Sequence, residues 1–382
     1  MPLPFLSSQH SPLPYTYTGI SMSKQSCRIL PFALLLAGGC AHAAPLDALL
    51  SATKPSTPGQ AIVEISYDMT NSSLDFLNLR NKNNVTSNVG DYKGGHIGGG
   101  VAITPELWID GTYWKRKIDY RSFDADLTSW QVAGQYKFNE AEGAMPALAL
   151  RVGAWSNNAD SLTKFTNTTV SSIKFTSATV HKPADQQVQL DLIGTWPVSQ
   201  NTEISAFASA GASRVKFDTI SATSRTKNGC EYNIAFDTVG AIGELAQPCS
   251  ASVVITRFVI PASDTVDVYK EARYRSSYAQ AGFMADWHSV NWRLRGGYQF
   301  QYIKRNNVDD IIISRGGSAY KHNHVAVADV SYNAHKNIVV FLRGQFMTNQ
   351  FNGELPLAYN SLTADKYNQR YGVVSTGLML VF

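Results

Sequence analysis

Six carboxylates and six cations each fall on the polar side of a two-residue alternation in hydrophobicity. The acids are Glu64, Asp68, Asp110, Asp191, Asp286 and Asp329, and the bases are Arg116, Lys137, Arg151, Arg293, Arg295 and Arg343. Neither sign dominates. Gathered on one side of a sheet, such groups can do one of two things. They can form facing tracks across a water-filled passage, where rings of charge set selectivity and orient a charged or zwitterionic solute. Alternatively they pair with one another and brace the wall, because a buried charge must be paired. Residue types alone leave both outcomes open.

Catalysis needs a tighter constellation. His288 and His335 fall in expected turns, where solvation accounts for them. His322 and His324 follow Asp309 and Asp310 closely enough for an Asp/His hydrolase site at a rim, although the spacing matches no motif. His96 stands among glycines and reads as a satisfied, inward-facing histidine. Cys230 and Cys249 share one polar loop, and an even pair in an oxidising compartment reads as a disulfide. A single pair without a neighbouring His or a CxxC spacing supplies too few ligands for zinc, so no metal or cofactor is expected. Gly94-Gly95 and Gly98-Gly99-Gly100 lack the strand–helix context of a phosphate loop and read as sites of curvature or close packing.

The elements that must position these groups are segments of about ten alternating residues separated by turns, and about twelve appear. Trp292, Leu294, Gly296, Tyr298, Phe300 and Tyr302, for instance, alternate with Arg293, Arg295, Gly297, Gln299 and Gln301. The links between segments alternate in length. Short ones fall at 104–106, 139–146, 199–202, 288–290 and 334–337, and long ones at 70–90, 157–184, 219–272, 307–320 and 351–368, with a shorter member at 119–124. Aromatic residues cluster at the short links: Trp108, Trp196, Trp287, Trp292, Tyr332 and the terminal Phe382. Within 219–272 the apolar run 253–260 has strand composition, either as a hairpin lid or as an extension of neighbouring strands.

The chain ends in Phe382, and steps of two back from it meet Leu380, Leu378, Thr376 and Val374. This resembles the closing strand of Gram-negative outer-membrane β-barrels. The resemblance implies that Phe382, Leu380 and Leu378 form the signal read by the barrel-insertion machinery. The expected fold is all-β: a single closed antiparallel transmembrane barrel of about 12 strands, with short periplasmic turns and long extracellular loops. Small barrels of similar strand count include channels for acidic sugars with arginine-lined interiors, a resemblance of architecture alone. Outer-membrane lipid and lipopolysaccharide, the insertion machinery and a small solute are the expected partners. Nucleic acid is not, since the net charge of +4 is small and scattered.

The other end fits export. Residues 22–43 carry a basic start, an apolar run over Ile29–Gly39 and an Ala41-His42-Ala43 cleavage site, as in a signal peptide. Lipidation at Cys40 is the rival, but Ala37-Gly38-Gly39 lacks the leucine that signal requires. Residues 1–21 read as a misannotated upstream extension, 44–59 as a short periplasmic lead, and 60–382 as the barrel with 219–272 as a long extracellular loop. A hydrophobic content of 44% suits a barrel, in which only alternate residues meet lipid. The expected function is a narrow outer-membrane channel for small polar or charged solutes, with the charged residues lining its pore. The alternative is a non-conducting structural or surface-interaction barrel acting through its loops, and the third reading is an outer-membrane hydrolase with a rim site.

Overall fold

The computed structural model describes residues 47–70, 91–120, 123–170, 173–236, 240–247, 249, 254–261, 273–314, 316–349, 352–360, 364 and 370–382. In chain order the strands are β1 (Ala61–Thr70), β2 (Asp91–Ala102), β3 (Leu107–Tyr120), β4 (Phe123–Asn139), β5 (Ala147–Ala159), β6 (Ser161–Val170), β7 (Ile173–His181), β8 (Ala184–Ser199) and β9 (Thr202–Lys216). They continue with β10 (Thr219–Arg225), β11 (Glu231–Phe236), β12 (Gly240–Gln247), β13 (Arg257–Pro261), β14 (Arg275–His288), β15 (Trp292–Arg305), β16 (His322–His335), β17 (Ile338–Met347) and β18 (Tyr371–Val381). One short helix, α1 (Val308–Ser314), lies between β15 and β16.

Twelve strands close into one antiparallel barrel in the order β1-β18-β17-β16-β15-β14-β9-β8-β5-β4-β3-β2. The seam joins the two ends of the fold, with Ile62 opposite Val381 and Met69 opposite Val374. Closure gives every wall strand a partner on both sides, the condition for a sheet in lipid. The alternation is inside out relative to a water-soluble sheet. Leu150, Val152, Val188, Leu190, Leu192 and Leu342 are exposed on the outer surface. The intervening Arg151, Gln187, Gln189, Asp191 and Arg343 are buried inside.

Links at one end are short, such as those between β8 and β9 and between β16 and β17. At the other end the wall does not stop at the bilayer. Crossing takes about 9–11 residues per strand, whereas β4 has 17 and β8 has 16. Three adjacent wall strands continue further: β5 runs on into β6, β7 leads into β8, and β9 runs on into β10. These join β11, β12 and β13 in a second, six-stranded sheet. The part of the 253–260 run from Arg257 onward is β13, the edge strand of that sheet, paired antiparallel with β12. Cys230 and Cys249 are disulfide-bonded there and pack with Tyr232, Ile234 and Phe258.

Of the aromatics at the short-turn end, Trp196, Trp287, Trp292, Tyr332 and Phe382 are exposed on the outside, where an interfacial girdle belongs. Trp108 does not join them. It shares the parity of Asp110 and is 2% exposed, turned inward over Gly100, where a Cβ would stand 2.3 Å from the indole.

Candidate functional site

The candidate site is the lumen. Every candidate charge faces it, because two-residue periodicity leaves a wall residue only two directions. Glu64, Asp68, Asp110, Arg116, Arg151, Asp191, Asp286, Arg295, Asp329 and Arg343 are all buried. Arg293 is inward and partly exposed, and Lys137 sits at the rim against Glu140.

Their pairing follows the wall. Arg151 on β5 grips Asp110 on β3 with two bonds of 2.5 and 2.7 Å, across Gln131 of the strand between them. Arg293 binds Asp286 on the neighbouring strand. Asp329 accepts from Arg295 on one side and Arg343 on the other, each at 2.9 Å, and these three residues are direct cross-strand neighbours. Arg343 also lies 3.7 Å from Glu64. His96 completes this belt, with Nδ1 at 2.8 Å from Asp68 and Nε2 at 3.0 Å from Glu64. A ring with a carboxylate oxygen at each nitrogen is satisfied when both nitrogens carry protons. Asp191 accepts from Gln189 on its own strand.

What occupies the centre is backbone. Residues 47–53, within the segment read from sequence as a periplasmic lead, lie inside the barrel rather than below it. Ala48, Leu49, Leu50 and Ala52 are buried, Thr195 accepts from the Ala52 amide at 2.9 Å, and Gln135 donates to the Ser51 carbonyl at 2.9 Å. Gly297 makes the passage possible, since a Cβ there would lie 2.0 Å from the Ala48 carbonyl oxygen.

From the long-loop end, residues 352–360 between β17 and β18 fold inward. Leu355, Leu357 and Tyr359 join an apolar cluster with Leu49, Val308 and Ile312 of α1, and the wall residues Val325 and Val327. Polar contacts pin the segment. Arg116 donates to Glu354 at 2.7 Å and to Ser129 at 2.6 Å. Asp185 accepts from the Leu357 amide and from Asn157. Arg305 binds Asn352 and stacks 3.8 Å over the Tyr359 ring. Burial raises the Tyr359 phenol above its ordinary value, with Arg305 pulling the other way.

Sequence reasoning found the wall charges but missed Glu354, Asn352, Asp185 and Asn157, which tie the inserted loop in place. The structure separates the rim residues. Asp309 is buried and bonded to Arg305, whereas His322 and His324 are exposed on the outer face against Phe300 and Tyr298. Those histidines and that carboxylate share no site. Asp310, next to Asp309 in α1, is exposed.

No protein-family model and no curated protein sequence matches the chain. Solved structures similar to it are outer-membrane barrels. The translocator domain of the autotransporter NalP from Neisseria meningitidis is 9% identical, covering 84% of this chain and 88% of that one, with a TM-score of 0.44. The NanC porin is 9% identical, covering 84% and 98%, with a TM-score of 0.36. A FadL homologue from Pseudomonas aeruginosa is 10% identical, covering 92% and 97%, with a TM-score of 0.37. Likeness at this level says nothing of activity. The closed twelve-strand wall, apolar outside and polar inside, makes the chain an integral membrane β-barrel.

Proposed function

We propose that the protein is a gated outer-membrane channel for small polar solutes, closed in this conformation. One observation carries the reading: the ion pairs run along the wall, while two segments that are not wall strands fill the bore. Side-chain pairs reaching across the centre would make a permanent brace. Inserted segments can withdraw and leave a polar tunnel lined by Glu64, Asp68, Asp110, Arg116, Arg151, Asp191, Asp286, Arg293, Arg295, Asp329 and Arg343. The carboxamide oxygens of Gln131, Gln135, Gln187 and Gln189 point the same way. They are buried with no hydrogen-bond partner among the described residues, and such atoms call for water or solute. In this reading residues 22–43 direct export, the outer apolar face meets lipid and lipopolysaccharide, and the Phe382 end is read by the insertion machinery.

Single-channel recording in a planar bilayer tests this. Wild type is expected to give rare discrete openings, and Asn352→Ala/Glu354→Ala, which loosens the inserted loop, to open more often. If both proteins insert as heat-modifiable barrels and stay silent, the channel reading fails. A second reading then takes over, that of a non-conducting barrel acting through its outer sheet. The disulfide-tied sheet with exposed Ile255 and Val259 favours it.

A further inference from the structure

Between the two inserted segments the described residues border a cavity of about 90 Å³, touched by Asp47 and Leu49 of one segment and Glu354 of the other. Its lining includes three tryptophans, Trp114, Trp130 and Trp155. Two of the residues lining it carry a buried polar atom with no hydrogen-bond partner among the described residues: the Trp155 indole nitrogen, a donor, and Glu354 Oε2, an acceptor. Trp155 is 5% exposed, so this is not a surface group left to bulk water.

The ionisable lining balances. Asp47, Asp68 and Glu354 face Arg116, Arg343 and His96, the last bridging two carboxylates. Each cation is already engaged: Arg116 by Glu354, Arg343 by Asp329, and His96 by Asp68 and Glu64. A carboxylate ligand would therefore satisfy Trp155 but meet Glu354 with no spare cation to offset the repulsion. An ammonium would satisfy Glu354 and leave the Trp155 N–H without an acceptor. A zwitterion could address both only by giving up the hydration of two charges in a neutral chamber, which is costly. A hydroxyl fits, because its oxygen accepts from the indole N–H and its proton goes to the carboxylate. Indole faces give the C–H surface of such a molecule something to pack against.

We propose that this cavity binds a small uncharged polyol of about glycerol size. A cavity of about 150 Å³ accepts benzene, so this one suits a ligand somewhat smaller. The site's place on a conduction path rests on the channel reading, but the binding itself does not.

Tryptophan fluorescence of the refolded protein in glycerol-free detergent micelles tests it, with glycerol, glycine and acetate as probes. Glycerol is expected to give a saturable change, and glycine and acetate weaker responses. Trp155→Phe and Glu354→Gln should each weaken glycerol binding roughly fivefold to tenfold, the worth of one hydrogen bond. Heat-modifiable mobility checks that each variant is folded, and the two alter opposite sides of the site. The proposal is overturned by no saturable response, by glycine or acetate binding ahead of glycerol, or by affinity unmoved in both variants. Recording the same preparations in a planar bilayer keeps the two ideas apart. Saturable glycerol binding by a silent barrel keeps the site and removes the channel, and conductance without glycerol binding does the reverse.

Discussion

Arg151 and Asp110 meet inside the wall at 2% and 3% exposure, joined by two parallel hydrogen bonds. Each makes the other tolerable. Arg151→Ala would leave a buried carboxylate without its guanidinium partner, and a loss of about 3–5 kcal/mol is expected, read from urea unfolding in lipid vesicles. Replacing both partners with apolar residues of similar volume, Asp110→Leu/Arg151→Met, should restore most of that stability. If the double variant is no better than the single, the pair does more than neutralise itself. Gly297 works by what it lacks. A valine there would drive the Ala48 carbonyl away from the wall, so Gly297→Val should displace residues 47–53 and raise the open probability in a planar bilayer. An unchanged closed state would mean that this segment is not part of the gate.

The six-stranded outer sheet is an element with its own fastening. It grows out of β5, β8 and β9, but β11, β12 and β13 pair only with sheet neighbours and have no counterpart in the barrel wall. Their core is small, built on Tyr232, Ile234 and Ala241 with the disulfide beside them. Cross-linking a loop of this length contributes about 2–4 kcal/mol, and it acts on the sheet alone. Reduction, or Cys230→Ser/Cys249→Ser, should therefore speed proteolysis within 226–261 while the barrel keeps its heat-modifiable mobility. Loss of that mobility would show that wall and sheet form one cooperative unit.

At the scale of the whole molecule, the barrel is complete only when its last strand meets its first. The backbone of Phe382 exchanges hydrogen bonds with Ala61 at 2.9 and 3.2 Å, while its side chain is 67% exposed. The ring therefore contributes little packing to the finished wall. Phe382→Ala should change the unfolding free energy of the refolded barrel by less than about 0.5 kcal/mol, as for other surface positions. If the ring belongs to the insertion signal, the heat-modifiable fraction recovered from outer membranes should nevertheless fall severalfold. Equal recovery of variant and wild type would end that assignment.

Strand identity and facing are legible in the amino-acid sequence, because a strand in a closed wall has only two sides and the residues alternate between lipid and lumen. Parity therefore places Arg151, Asp191 and Arg343 inward, and His96 with them. The same rule, applied to Trp108, keeps it off the lipid face even though it lies beside a short turn. Periodicity carries nothing about which partner a long side chain selects, and Arg151 reaches past one strand to Asp110. It carries still less about segments that have no period. Residues 47–53 and 352–360 form no wall strand, so nothing local marks them as contents of the lumen. Only the closed fold brings Glu354 to Arg116, 238 positions away, and Leu49 into the cluster of Leu355 and Tyr359. The alternation along each strand determined the wall; whether the passage inside it stood open or filled depended on long-range contacts that exist only once the wall has closed.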